Sequence, residues 1–294
     1  MRWSARRKGF RAILAGGACV FPGSVFDPIS ARIAEDLGFE LGMFAGSVAS
    51  MTVLGAPDLI VLTLTEFAAQ ANRICRAGEL PLLVDADHGY GNALNVQRTV
   101  EELEIAGVAG LSIEDTELPQ RFGAGGQTRL LSIEEGAGKM RAALSGRRDP
   151  DLVIAGRTSA VSLTGVEDAI ARAGAYEAAG VDAIFLVGVK TRAQLEAIAA
   201  AVGLPLILGG AGPELMDPEL IDRDYLSAQG VRVCLQGHQP FMAAVQAVHD
   251  TLKALREGTP PQELTGVAAS ETMKRLTRDA DYRRWTSEFL GGDE

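Results

Sequence analysis

Along most of this chain a short apolar run gives way to a loop holding Gly or Asp, and then to an alanine-rich helical pattern. The unit recurs about eight times. Its apolar runs are Ala18–Val25, Leu41–Ala45, Leu82–Asp85, Val108–Glu114, Leu152–Ala155, Ala183–Val187, Leu204–Leu208 and Val231–Leu235. Runs this short, bounded by turn residues, read as buried strands. Between them Pro28–Leu37, Thr65–Ala77, Leu94–Ala106, Ile133–Leu144, Val166–Ala179 and Arg192–Ala201 read as helices, with Thr65 expected as an N-cap and Glu66 in the first turn. Strands that alternate with helices lie parallel, because a parallel neighbour needs a crossover connection. Eight such units favour a closed (β/α)8 barrel of the TIM type over an open, doubly wound sheet. The 294 residues are read as one domain, 1–294, with a helical extension from about 260 to 294. That tail, Glu263–Phe289, is expected to pad the barrel or to pack on a partner subunit.

In a barrel of this kind reactive groups belong at the carboxyl ends of the strands. The polar residues at those positions are Ser47, Asp85, Asp87, Glu114, Arg157 and His238. The stretch Leu82–Asn92 is the most informative, because an apolar strand runs into two acids spaced i, i+2 and then turns on Gly89 and Gly91. If the strand persists to Asp87, both carboxylates point to one side. Two carboxylates so close repel unless a cation or a shared proton relieves them. Oxygen donors with no cysteine nearby suit Mg²⁺, or Mn²⁺, better than zinc. Arg157 and His238 are placed to hold an anionic substrate opposite the cation. Each residue alone also fits a structural role: Ser47 a turn former, Glu114 an ion-pair partner, Arg157 a surface cation, His238 a loop residue before a helix. Their joint placement at strand ends favours a site.

Composition narrows the partners. A net charge of −10 without an extended basic patch argues against nucleic acid and anionic membrane surfaces. Cys19, Cys75 and Cys234 are widely spaced, which suggests buried thiols in a reducing, cytoplasmic setting. The basic segment Met1–Arg11 is followed by no apolar h-region, so it is read as the frayed start of a helix rather than a signal peptide.

Several segments together resemble the isocitrate lyase/phosphoenolpyruvate mutase superfamily: Gly46–Ser50, Gly55-Ala56-Pro57-Asp58, Leu62–Glu66, Asp85–Asn92 and Ile113-Glu114-Asp115. Val25–Pro28, Ser30–Ala34 and Gly91–Val96 make the chain most similar to its oxaloacetate decarboxylase branch. The resemblance implies a (β/α)8 barrel whose last helix is swapped between subunits, in a homodimer or homotetramer. It implies Mg²⁺ bound by Asp85, with Asp58, Asp87 and Glu114 holding coordinated waters. Ser47, Arg157 and His238 would contact a 2-oxo acid, and the reaction would be decarboxylation of oxaloacetate to pyruvate and CO₂ through a metal-stabilised enolate.

Three departures leave the substrate open. Ser159 follows Arg157-Thr158 where Asn or Asp is expected, Gln236-Gly237 precedes His238, and Gly209-Gly210-Ala211-Gly212-Pro213 replaces a more polar segment. That glycine-rich stretch is read as a plain turn or a phosphate cradle. Gln120–Gln127 lacks the cysteine of the isocitrate and methylisocitrate lyases. The alternatives are therefore a C–C lyase, an enzyme acting on a C–P bond, or a metal-binding barrel without activity.

Overall fold

The computed structural model describes residues 3–209 and 222–291. Eight parallel strands follow one another in chain order: β1 Gly23–Ser24, β2 Gly42–Phe44, β3 Leu82–Asp85, β4 Gly110–Glu114, β5 Val153–Thr158, β6 Ala183–Val187, β7 Leu206–Gly209 and β8 Val231–Cys234. The circle closes just before β1. The Val20 N–H donates to the Arg232 carbonyl at 2.9 Å, and the Cys234 N–H donates to the Val20 carbonyl at 3.0 Å. This is the expected (β/α)8 barrel. The first strand is much shorter than the apolar run Ala18–Val25 suggested, because Pro22 has no N–H to give to a ladder. Strand β5 runs further than expected and takes Arg157 into the sheet.

Register does the work of alignment. Asp85 on β3 lies beside Ser112 on β4, and Glu114 lies beside Arg157 on β5. Side chains alternate along a strand, so Ser112 and Glu114 share a face, and Asp85, Glu114 and Arg157 meet at the barrel mouth with Ser112 buried beneath them.

The helices of the barrel are α1 Ser4–Ala15, α2 Pro28–Asp36, α3 Gly46–Ala49, α4 Leu64–Cys75, α5 Ala93–Ala106, α6 Ile133–Gly146, α7 Ala160–Leu163, α8 Val166–Ala179, α9 Arg192–Ala201 and α10 Arg223–Ala228. Capping boxes start four of them: Asp27/Ser30, Thr63/Glu66, Asn92/Asn95 and Thr191/Gln194. The cap of α4 is thus Thr63, not Thr65. Only Thr63 has the extended backbone that lets its hydroxyl meet the Glu66 N–H.

The N-terminal arginines are also not a frayed start. On α1, Arg7 is buried: Nη1 donates to Asp149 at 2.6 Å, Nε to the Val108 carbonyl at 3.1 Å and Nη2 to the Glu104 carbonyl at 2.6 Å. Arg6 pairs with Glu79 at 3.0 Å, and Arg11 with Asp182 at 3.0 Å. These bonds tie the helix to the segments that lead into β3, β4, β5 and β6.

The chain divides into two compact units, Met1–His238 and Gln239–Glu294. The second contains α11 Gln239–Arg256, a 3₁₀ turn at Pro261–Glu263, α12 Ser270–Leu276 and α13 Asp279–Leu290. No residue of α11 is buried. Among the described residues, no helix is long and apolar enough to cross a membrane.

Candidate active site

A cavity of about 440 Å³ opens at the carboxyl ends of the strands. Ser47, Asp58, Asp85, Asp87, Glu114, Arg157 and His238 all line it, so the structure brings the whole predicted set together. Neither Ser159 nor Gln236 lines the cavity. Gly209 ends β7, where an added Cβ would lie 2.7 Å from the Phe185 ring and 2.9 Å from Leu235. Close packing accounts for that glycine. Gly210–Pro213 lie outside the described residues.

The four acids occupy unlike positions. Asp85 ends β3, is buried, and accepts from Ser112 Oγ at 2.9 Å. The strand stops there, so Asp87 does not reach the cavity by strand alternation as expected. It sits in a left-handed turn (φ +49°) instead. Its N–H bonds Asp85 Oδ1 at 3.3 Å, and its carbonyl accepts the Glu114 N–H at 2.8 Å. Gly46 makes room for its carboxylate; a Cβ there would collide with both oxygens. Burial, reinforced by Asp85 and Glu114, pushes the Asp87 carboxyl well above the usual range. Burial also raises Glu114 against the pull of Arg157, and raises Asp58, which Asp85 pushes further. Asp58 is the exposed acid of the group.

Arg157 answers this negative charge. Its guanidinium pairs with Asp85 and reaches Glu114 at 3.3 Å. Burial alone would lower its affinity for a proton, but Asp85 and Glu114 outweigh that and raise it. The guanidinium carbon lies 5.4 Å from the centre of the Phe185 ring, and Nε is buried without a hydrogen-bond partner. Across the cavity, His238 Nε2 stands 3.4 Å from Ser47 Oγ and Nδ1 stands 3.4 Å from Ser24 Oγ. Burial lowers the proton affinity of His238, against Asp85 and Asp58, so the ring favours its neutral form.

Sequence reasoning missed Ser24 and Ser112, whose roles depend on strand register. It also missed two buried bases, His88 and Lys139. Burial pushes His88 down to about 4 and lowers Lys139 despite nearby Glu114.

Among the described residues, no three acidic, histidine or cysteine side chains converge as a ready-made ligand cage. The donor set nevertheless fits a hard cation that keeps most of its water: one buried carboxylate with further carboxylates around it, all oxygen. The three cysteines are free, buried and absent from the cavity.

A closed parallel barrel with acids, an arginine and a histidine gathered at its strand ends defines a barrel enzyme that handles an anionic substrate. Comparison gives the lineage. The family model for phosphoenolpyruvate phosphomutase matches residues 10–256, and the chain belongs to that family. It is 60% identical over 291 residues to a protein of Bradyrhizobium diazoefficiens and 61% identical over 291 residues to one of Rhodopseudomonas palustris. Both are named oxaloacetate decarboxylase, and each match covers 99% of either chain. Among solved structures, a phosphonopyruvate hydrolase in complex with oxalate and Mg²⁺ superposes with a TM-score of 0.85 at 28% identity, over 97% of this chain and 99% of that one. An oxaloacetate acetylhydrolase bound to 3,3-difluorooxalacetate gives 0.85 at 29% identity, over 99% and 98%.

Proposed function

We propose that this protein decarboxylates oxaloacetate to pyruvate and CO₂ with Mg²⁺ at the Asp85 cluster. The observation that carries the reading is a cavity combining clustered carboxylates, one arginine and a serine–histidine pair, with no thiol among its lining residues. A β-keto acid loses CO₂ once the charge left on its 2-oxo group is stabilised, and needs no protein nucleophile. The full-length relatives named for this reaction support the same choice.

A Mg²⁺ ion held by Asp85, with waters on Asp58, Asp87 and Glu114, would supply Lewis acidity beside the 2-oxo group. Mn²⁺ would satisfy the same donors. Arg157 pairs with Asp85 and Glu114 and holds them in place, and its unpartnered Nε–H is a donor for a substrate carboxylate. Ser47 donates its hydroxyl to the oxygen that gains charge. His238, uncharged and held between Ser24 and Ser47, orients that hydroxyl. The apolar side of the cavity, Phe185, Val187 and Leu235, offers the departing carboxylate no counter-charge, which suits its loss as neutral CO₂.

The free, buried cysteines suit a cytoplasmic protein. We read residues 1–294 as one domain whose terminal helices exchange between subunits of a homodimer or homotetramer. In support, α11 carries exposed Met242, Val245, Val248, Leu252 and Leu255 along one face.

The test is an assay of oxaloacetate, methylisocitrate and phosphonopyruvate, each with Mg²⁺. Pyruvate from oxaloacetate, abolished by Asp85→Ala, is expected. Pyruvate formed from phosphonopyruvate alone would sink the reading.

A further inference from the structure

Beside the cavity, but outside it, lies a carboxylate that decarboxylation does not use. Asp115 follows Glu114 at the end of β4 and is fully buried. Its Oδ2 accepts from Arg172 Nη1 at 2.9 Å and from the Tyr176 hydroxyl at 2.6 Å. Its backbone is engaged as well: the N–H donates to the Arg157 carbonyl at 3.3 Å, and the carbonyl accepts the Leu131 N–H at 2.8 Å. Arg172 Nη1 also donates to the Leu131 carbonyl at 2.9 Å, while Nε donates to Asp168 at 2.8 Å. Leu131 closes the segment that leaves β4 and returns to α6. Thr116 and Leu130 pair as an antiparallel bridge at its root, and Leu118, Pro119 and Gln120 from the same segment line the cavity.

The space for this contact is cut from two other elements. A Cβ on Gly136 of α6 would lie 2.5 Å from the Tyr176 hydroxyl, and one on Gly156 of β5 would lie 3.0 Å from the Tyr176 ring. Gly156 directly precedes Arg157. Four elements are therefore shaped around one buried carboxylate whose Oδ1 has no hydrogen-bond partner. As a source of stability this is a poor arrangement, since well-packed apolar residues commonly match or exceed a buried ion pair. A positional role explains it.

We propose that Asp115, Arg172 and Tyr176 are positioning residues that lock the root of the 116–131 segment to β4 and β5. They thereby fix both the cavity wall at Leu118–Gln120 and the alignment of Glu114 with Arg157. None of the three touches the cavity; they act through the backbone they hold.

Tyr176→Phe keeps the ring in its slot and removes one bond, and Arg172→Gln removes the clamp on Leu131. Arg121 and Arg129 are exposed in the segment, so tryptic cleavage of the native, full-length enzyme reports on the root without reference to any reaction. Cleavage within 116–131 should accelerate about tenfold in either variant. The KM for oxaloacetate should rise about five- to thirtyfold, with kcat falling less. Asp168→Asn, which leaves Asp115 and Leu131 bound, should match the parent in both. If both variants melt earlier yet show parental cleavage and KM, the network is only structural and the proposal fails. Should the chain turn over some other 2-oxo acid, the cleavage result still stands or falls by itself.

Discussion

Asp87 lines the cavity because its backbone accepts a left-handed turn and because Gly46 leaves its carboxylate room. Gly46→Ala introduces a single methyl group into that space, on a helical residue where alanine is otherwise well tolerated. The carboxylate must then swing away. Since misplacement by about 1 Å can cost ~10²-fold in rate, kcat/KM should fall ~10- to 100-fold with a small change in melting temperature. Steady-state kinetics beside calorimetry on the same preparation checks the split. Ser112→Ala tests the support of Asp85 in the same way. Removing the 2.9 Å bond leaves the fold intact and should weaken Mg²⁺ binding by about 10- to 100-fold, read by titration calorimetry on metal-free protein. These two residues also mark the limit of what a sequence shows. Asp85, Glu114 and Arg157 were legible because each stands where an apolar run ends. Ser112 was not, since nothing in its own neighbourhood says that it faces Asp85 across a strand boundary. Strand alternation would aim Asp87 at the cavity, but the left-handed turn at Asp87 does so instead.

At the scale of elements, periodicity located the eight strands and the longer barrel helices, passed over the short α3, α7 and α10, and misjudged ends where one residue decides the matter. Pro22 shortens β1, and backbone conformation gives the cap of α4 to Thr63 over Thr65. The basic N-terminus misleads for a related reason: whether arginine is solvated or buried depends on acids far away in sequence. Arg7 meets Asp149, 142 residues away, in a pair that is almost wholly inaccessible. Breaking a buried pair by removing one partner strands the other charge, so Arg7→Met should cost about 3–5 kcal/mol in urea unfolding. The pair has a pH signature. Burial opposes ionisation of Asp149, but Arg7 and the Asp151 N–H outweigh it and hold the carboxyl below its ordinary 3.8. A carboxyl lowered on folding stabilises fully above its unfolded value and loses that contribution as pH falls through the folded one. The stability gap between parent and Asp149→Asn should therefore be flat from pH 7 to about 5 and shrink below about pH 4. A gap that widened on acidification would contradict the assignment.

For the whole molecule, the apolar face of α11 is the feature that the proposed assembly must account for. Met242, Val245, Val248, Leu252 and Leu255 recur at spacings of three and four, and all are exposed. Each large apolar side chain returned to cover is worth roughly 1.5–3 kcal/mol, so five on one stripe supply a strong drive toward a partner surface. The proposed homo-oligomer would cover it, because a twofold exchange lets each chain cover and be covered by the same surface, closing the assembly without leaving further faces open. Val245→Glu with Leu252→Glu places two charges on that stripe. Since α11 is a surface helix with no buried residue, the substitutions leave its intrahelical bonds intact, and glutamate is a good helix former. The parent should sediment as a dimer or tetramer at micromolar concentration and the double variant as a monomer of about 31 kDa, the mass of one chain. Persistence of the parental mass in the double variant would show that the face is covered by something other than another copy.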